Sequence, residues 1–276
     1  MADTIQTALT GQGQSSGSTP VQYVETVEAY NQWAEVYDTD GNFLQALDTI
    51  EMIQLLPLFL TRVASSSSST KLVDLGCGTG RNTLRLAQLA PPGTEVVGVD
   101  ASPGMLEVAR ETIRKATERD KDEDEGFSGS ISLDTFDLLR SPPAPPECAL
   151  GAAGVISTLV LEHIPVTRFF EGAAALLAPG GYLLVTNMHS DMGAISQAGF
   201  VDTATGTKIR PTSYSHTVDE VVDAAQKAGF TVEQMEGERV RERMVDQDLA
   251  ERLGKRAKKW VGITVWFGVC FRKNAV

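Results

Sequence analysis

The stretch KLVDLGCGTGRNTLRLAQLA, residues 71–90, constrains this chain more than any other. KLVDL is an apolar run too short for a helix. It meets three glycines spaced by single residues, Gly76, Gly78 and Gly80, and a helical pattern follows at once. A buried strand that turns through glycines into a helix opens a βαβ unit, and the crossover back to a parallel neighbour is right-handed.

The alternation continues. TEVVGVD reads as a second strand and PGMLEVARETIRKATER as a long helix with Pro103 in its first turn. SISLDTFDLL is a third strand, followed by an extended SPPAPPE connection. GVISTLVLEHI is a fourth strand with its exit loop. VTRFFEGAAALLA is a helix that stops at Pro179-Gly180-Gly181, and GYLLVTNM is a fifth strand. TVDEVVDAAQKAGF reads as a helix ending at Gly229. FTVEQMEGERV and WVGITVWFGVCFRK close the chain as two strands, with the helical DQDLAERLGKRAK between them. Strands alternating with helices of 10–15 residues imply an α/β fold with a mostly parallel sheet covered on both faces. The final two strands are free to pair antiparallel.

Upstream of residue 71, residues 1–20 are polar and rich in glycine and serine, which predicts a disordered arm. Residues 21–64 carry two helical patterns, a helical lid or extension. The first includes Tyr30, Trp33 and Tyr37, and Pro57 is expected to kink or end the second. Ser65 to Thr70 is a low-complexity linker, and the acidic TERDKDEDEG, residues 117–126, is a solvated loop.

With 36 acidic against 24 basic residues, the formal net charge of −12 disfavours nucleic acid as a partner. The run Lys255, Arg256, Lys258, Lys259 is an exception, expected as a solvated helix face. Three widely spaced cysteines form no disulfide framework, and no Cys/His cluster has metal-ligand spacing. No apolar run reaches the ~18 residues of a spanning helix. No basic-then-apolar leader opens the sequence. The expectation is therefore a cytoplasmic enzyme with no membrane partner and no metal.

The glycine loop indicates what is bound. Its place after the first strand is where open α/β sheets hold ligands. A dinucleotide fingerprint starting at Gly76 needs its third glycine at position 81, where Arg81 stands. Asp74 also sets a carboxylate beside the loop, a poor neighbour for pyrophosphate and a better one for an ammonium or sulfonium. Asp100, at the tip of the second strand, suits the two hydroxyls of an unphosphorylated ribose. Met105 either flanks an adenine or packs in the core.

VDLGCGTG, GVDASPGMLEVAR, FDLL, VLEHI and LLAPGGYLLV, in that order over about residues 71–185, resemble the successive motifs of class I S-adenosyl-L-methionine-dependent methyltransferases. The resemblance implies a Rossmann-like, seven-stranded, mostly parallel sheet with its last strand antiparallel, so that 71–276 is the cofactor-binding domain. It also implies roles by position. Gly76, Gly78 and Gly80 lie against the methionine part of the cofactor and Asp100 on ribose. Ala101 and Met105 flank adenine, Asp137 and Leu138 address the adenine edge, and Leu159 faces the methionine end. The closing strand and YNQWAEVYD are similar to fungal small-molecule methyltransferases of secondary metabolism, above all those that S-methylate dithiols of the gliotoxin type.

Methyl transfer is an in-line displacement that needs alignment and water exclusion more than acid–base help. A base matters for a hydroxyl, less for a neutral amine, and least for a thiol of pKa ~8.5. His163 and His189 are candidate bases, His163 with a structural alternative, and His216 is expected at the surface ahead of a helix. Tyr30, Trp33 and Tyr37 share a helical face. They either pack on the core or wall the sulfonium by cation–π attraction, Tyr30 and Trp33 foremost. Phe170, Met188, Met192 and Phe200 either line an apolar acceptor pocket or fill the core. The expectation is methylation of a small-molecule acceptor, a thiol first and O- or N-methylation next. A protein methyltransferase, an inactive methyltransferase-like regulatory subunit and an NAD oxidoreductase are the alternatives.

Overall fold

The computed structural model describes residues 20–66, 71–122 and 129–275. The arm at 1–19, most of the serine linker and the end of the acidic stretch from residue 123 lie outside them, while its first part, 117–122, is helical rather than loop. Successive residues of a strand face opposite sides of a sheet, and here both sides are apolar. Leu72, Val96, Ile156, Leu184 and Trp266 join one core cluster, and Val73, Val97, Val155, Leu183 and Phe267 the other. A sheet dry on both faces explains why these strands read as continuous hydrophobic runs.

The strands of that sheet are β2 (Lys71–Leu75), β3 (Glu95–Asp100), β4 (Ser130–Thr135), β5 (Ala152–Thr158), β6 (Leu177–Met188), β9 (Phe230–Glu233), β10 (Arg241–Met244) and β11 (Thr264–Lys273). Their order is β10-β11-β6-β5-β2-β3-β4. From β4 to β6 every pairing is parallel, and β11 runs antiparallel to β6. The strand expected over 230–240 is formed only at its start, as β9, and a further strand, β10, follows just beyond it. Both pair antiparallel with β11, at opposite ends of it, so they share one edge position. The Rossmann-like methyltransferase arrangement is present, with its seventh position divided.

Helices α3 (Arg81–Leu89), α4 (Pro103–Asp122), α5 (Val166–Leu176) and α7 (Val218–Lys227) are the crossovers. Thr217 and Glu220 form a reciprocal capping box that starts α7. Ahead of them α1 (Thr26–Trp33) is short and α2 (Phe43–Ser66) long. Contrary to expectation, α2 runs unbroken through Pro57. Ile53, whose carbonyl loses its donor there, and Pro57 are both exposed, so water takes the freed acceptor. One segment of α2, Phe43–Ser65, is long and apolar enough to cross a membrane. It lies instead on the sheet, with Leu47, Met52, Leu56 and Phe59 fully buried.

A second, small sheet sits under the amino-terminal segment: β1 (Val21–Tyr23) pairs parallel with β8 (Lys208–Arg210), which pairs antiparallel with β7 (Phe200–Val201). Strands of two or three residues carry no periodicity to read. This sheet and α1 enclose a third apolar cluster, Ala29, Trp33, Phe200 and Ile209. The remaining helices are the single turn α6 (Ser190–Gly193) and α8 (Gln247–Leu253).

Candidate active site

At the carboxyl ends of β2, β3 and β5 the glycine loop turns with Gly76, Gly78 and Gly80 all at positive φ. At Gly76, φ is +72°, and a Cβ would stand 2.3 Å from Val160 Cγ2. No side chain fits, and the bare backbone forms the floor of a cleft. The Asp100 carboxylate fixes the loop from β3. Its Oδ2 accepts from the Gly78 N–H at 2.9 Å and its Oδ1 from the Ser102 N–H at 2.8 Å. Each oxygen keeps a second lone pair for a hydroxyl. Burial raises the Asp100 pKa against the opposing pull of these N–H groups.

The cleft holds about 720 Å³, open mouth included. Ala101, Ser102, Met105, Phe136, Asp137 and Leu138 form its adenine-sized side, and Thr158, Leu159 and Val160 the end beyond β5. Met105 is both buried and lining, so the two readings of it coincide. Asp137 also caps its own loop, Oδ1 accepting from the Leu139 N–H at 2.8 Å. Leu159 takes φ +58°, rare for a branched side chain, and its N–H donates to the Thr186 carbonyl.

Helix α1 roofs the cleft with Thr26, Val27 and Tyr30. Asn31 anchors it, its Oδ1 accepting from Ser102 Oγ at 2.7 Å and the Gly104 N–H at 2.9 Å. The loop after β2 holds the same segment, Thr79 Oγ1 donating to Asp38 Oδ1 at 3.1 Å. Arg81, the residue that breaks the dinucleotide fingerprint, donates to buried Asp48 at 3.0 Å and to Thr49 Oγ1. It staples α3 to α2.

Several expected site residues stand elsewhere. Asp74 does not line the cleft. It is buried behind the loop, where Oδ2 accepts from Thr83 Oγ1 at 2.7 Å and Oδ1 has no partner. Burial pushes its carboxyl up to about 7, opposed by the Thr83 hydrogen bond and Arg81. Gly80 is the left-handed cap of α3 against Ala109, and also does not line the cleft. Trp33 stacks on Phe200 with ring centres 5.2 Å apart, and its indole N–H donates to Asp40 at 3.1 Å. It belongs to a second cavity, not to the cofactor cleft.

His163 lines the cleft with both ring nitrogens committed. The Thr212 carbonyl, 2.9 Å from Nδ1, can only accept, so Nδ1 carries the proton and Nε2 takes the Tyr30 hydroxyl at 2.7 Å. His189 lines neither cavity. It caps α6 at the Asp191 N–H and faces Glu242 at 3.1 Å. His216 is buried against the Ile164 carbonyl rather than at the surface, and burial lowers its pKa. Phe170 is core, packed between Phe169, Phe230 and Phe271.

The second cavity, about 1020 Å³ with its mouth, shares Tyr30, Tyr37 and Leu159 with the cleft. Met188, Met192, Phe200, Phe43 and Trp260 give it an apolar lining. Glu162, 4% exposed, also lines it: Oε1 lies 3.5 Å from His163 Nε2, and Oε2 has no hydrogen-bond partner. Glu162 was not foreseen as a site residue, because the sequence draws attention to the histidine beside it.

Fold and cleft together define a class I S-adenosylmethionine-dependent methyltransferase. The glycine floor and the Asp100 carboxylate at the tip of β3 fit that cofactor. Residues 73–183 match the family model of a methyltransferase domain. An uncharacterized methyltransferase of Emericella nidulans is 54% identical over 290 residues, covering 96% of this chain and 98% of the relative. The chain belongs to this methyltransferase family. Among solved structures it is similar to the [4+2]-cyclase SpnF, with a TM-score of 0.57 and 16% identity over 94% of this chain and 100% of that one. It is also similar to a Synechocystis magnesium protoporphyrin IX methyltransferase with bound SAH, with a TM-score of 0.51 and 15% identity over 90% and 94%. These two likenesses show the fold, and a cyclase among them is a reminder that the fold alone does not name a reaction.

Proposed function

We propose that this enzyme methylates a small-molecule acceptor held in the second cavity, and that the favoured acceptor atom is a thiol sulfur. The carrying observation is the shared wall. Tyr30, Tyr37 and Leu159 line both spaces, so an acceptor in one meets a cofactor in the other across these three side chains. When bound, S-adenosylmethionine supplies an electrophilic methyl on a sulfonium.

The chain's own residues position and desolvate. Gly76 and Gly78 receive the cofactor against bare backbone, and Asp100 takes its ribose. Burial holds the Tyr30 and Tyr37 phenols well above their ordinary pKa, so both stay neutral. Their rings offer π-faces to a cation, and α1 keeps water from the junction. His163 orients Tyr30 and is not placed to take a proton. That supports a thiol, which loses its proton to solvent most readily among the acceptor types. The unpartnered oxygen of Glu162 favours a second reading, a hydroxyl or amine acceptor deprotonated by that carboxylate.

An assay with S-adenosylmethionine against matched aryl thiols, phenols and anilines tests the first reading. Methylation of thiols, with rate rising alongside thiolate fraction, is the expected result. Phenol methylation abolished by Glu162→Gln would replace it with the second. Cofactor binding with no turnover on any acceptor would favour the regulatory-subunit alternative. We also propose a cytoplasmic enzyme of secondary metabolism, which subcellular fractionation and metabolite profiling of a deletion strain test.

A further inference from the structure

The second cavity has one face that methyl transfer does not call for. Lys208 on β8, and Arg256 and Lys259 in and beside the turn Lys258–Trp260, all line it, and none lines the cofactor cleft. Among the described residues none of the three makes an ion pair, and Lys208 and Arg256 make no side-chain hydrogen bond. Lys259 lies over the Trp260 ring at 4.9 Å. The cavity's two carboxylates do not neutralise them. Asp40 accepts from Trp33 and the Asn42 N–H, and Glu162 faces His163.

Lys208 is half-buried, and its pKa is lowered by burial and by Arg210, Lys259 and Arg256 around it. Lys208, partly desolvated, with exposed Arg256 and Lys259 lining the same cavity and repelling it, in a chain of net charge −12, is an arrangement that a bound anion would relieve. Arg256 and Lys259 are exposed, as expected of the run at 255–259, and they also line the cavity together with Lys208. Much of the remaining lining is thioether and aromatic ring, suited to a flat apolar body, beside the polar Asn42, Ser196 and Gln197.

We infer that the acceptor carries an anionic group, a carboxylate or a phosphate, on an apolar and aromatic-sized body, and that Lys208, Arg256 and Lys259 hold this group at the wall of the second cavity. The inference rests on the reading of that cavity as the acceptor site. It makes the three cations specificity determinants, since a charge-assisted hydrogen bond discriminates an acid from its neutral isostere.

Calorimetric titration of the full chain, saturated with S-adenosylhomocysteine, tests it. The probes are 2-naphthoate against 2-naphthamide, 2-naphthyl phosphate against 2-naphthol, and the smaller pair benzoate and benzamide. The expected result is roughly tenfold tighter binding of at least one acid than of its neutral partner. The better acid tells carboxylate from phosphate. In K208M/R256Q/K259Q the preference should fall below about threefold, while affinity for S-adenosylhomocysteine stays unchanged. Lys208→Met alone keeps the buried stem and controls for packing. No acid preference in the wild type, or a preference that survives the triple substitution, overturns the inference. An acid that binds through the three cations yet does not compete with any methylated acceptor sustains the anion site and removes its acceptor role. That outcome separates failure of this inference from failure of the function on which it rests.

Discussion

The two cavities that meet at Tyr30, Tyr37 and Leu159 are built in opposite ways. The cofactor cleft is backed by carboxylates, Asp100 and Asp137 on its walls and Asp74 behind them. The second cavity carries Lys208, Arg256 and Lys259 besides its own carboxylates, Asp40 and Glu162. The cleft rises from four strand ends, those of β2, β3, β4 and β5, and the loops directly after them, with α1 as a roof. The acceptor cavity draws on segments around residues 30–44, 159–162, 188–201, 208 and 256–260. Local geometry therefore shapes the cleft, while long-range packing shapes the second cavity.

The largest expected effect concerns Asp74, the most deeply held charge on the cofactor side. Its carboxyl is raised from 3.8 to about 7, so the folded protein binds more protons than the unfolded chain between those values. Stability from this group is complete below pH ~4 and is lost as pH rises through about 7, up to about 4 kcal/mol. Chemical denaturation from pH 4 to 8 should show this slope in the wild type and its loss in Asp74→Asn. The amide still accepts from Thr83, so its own cost is independent of pH. Parallel slopes would mean that water or relaxation solvates Asp74.

Next is the cradle itself. Gly76→Ala should weaken S-adenosylmethionine about 100-fold or more, because the methyl meets Val160 and the backbone sits at positive φ. Circular dichroism separates this from unfolding, and affinity within threefold of wild type would show a cradle that adapts. Asp100→Ala should cost about 2 kcal/mol of cofactor binding, roughly 30-fold. It removes the acceptor for two loop N–H groups as well as the ribose contact. Neither change touches the acceptor cavity, so competition by anionic probes should persist in both variants, and its loss would show that the two spaces are coupled.

The same contrast explains what was legible beforehand. The strand–glycine–helix order, the antiparallel last strand and residues 76, 78, 100, 101, 105, 137, 138 and 159 lie in contiguous motifs, where spacing alone predicts neighbours. The structure gathers those residues, Gly80 aside, along one cleft. Trp33 was misplaced because helical periodicity says which residues share a face, not which cavity that face meets, and His189 because its place after a strand end does not say which way its side chain turns, here to the Asp191 N–H and Glu242. Asp74 and Gly80 shape the loop from beneath, which spacing does not distinguish from touching the ligand. Arg256 and Lys259 are exposed, as read, but that they share a cavity with Lys208 was not legible, because Lys208 is some fifty residues away on a strand too short to announce itself.

Tyr30 belongs to both halves, and Tyr30→Phe gives the smallest effect with the finest resolution. The phenol donates to His163 Nε2, while Nδ1 stays bound to the Thr212 carbonyl. Deleting the hydroxyl leaves one buried acceptor unpaired, about 1 kcal/mol of stability, and leaves the ring to wall the sulfonium. If the pair only positions the roof, kcat should fall less than tenfold and the pH–rate profile should keep its shape. A fall of about 10²–10⁴, with a pKa lost from the profile, is what removing an acid–base pair produces. That outcome would make Tyr30 and His163 the proton path and would move the acceptor from thiol to hydroxyl. The modest fall would leave both cavities as binding surfaces whose only chemistry is alignment.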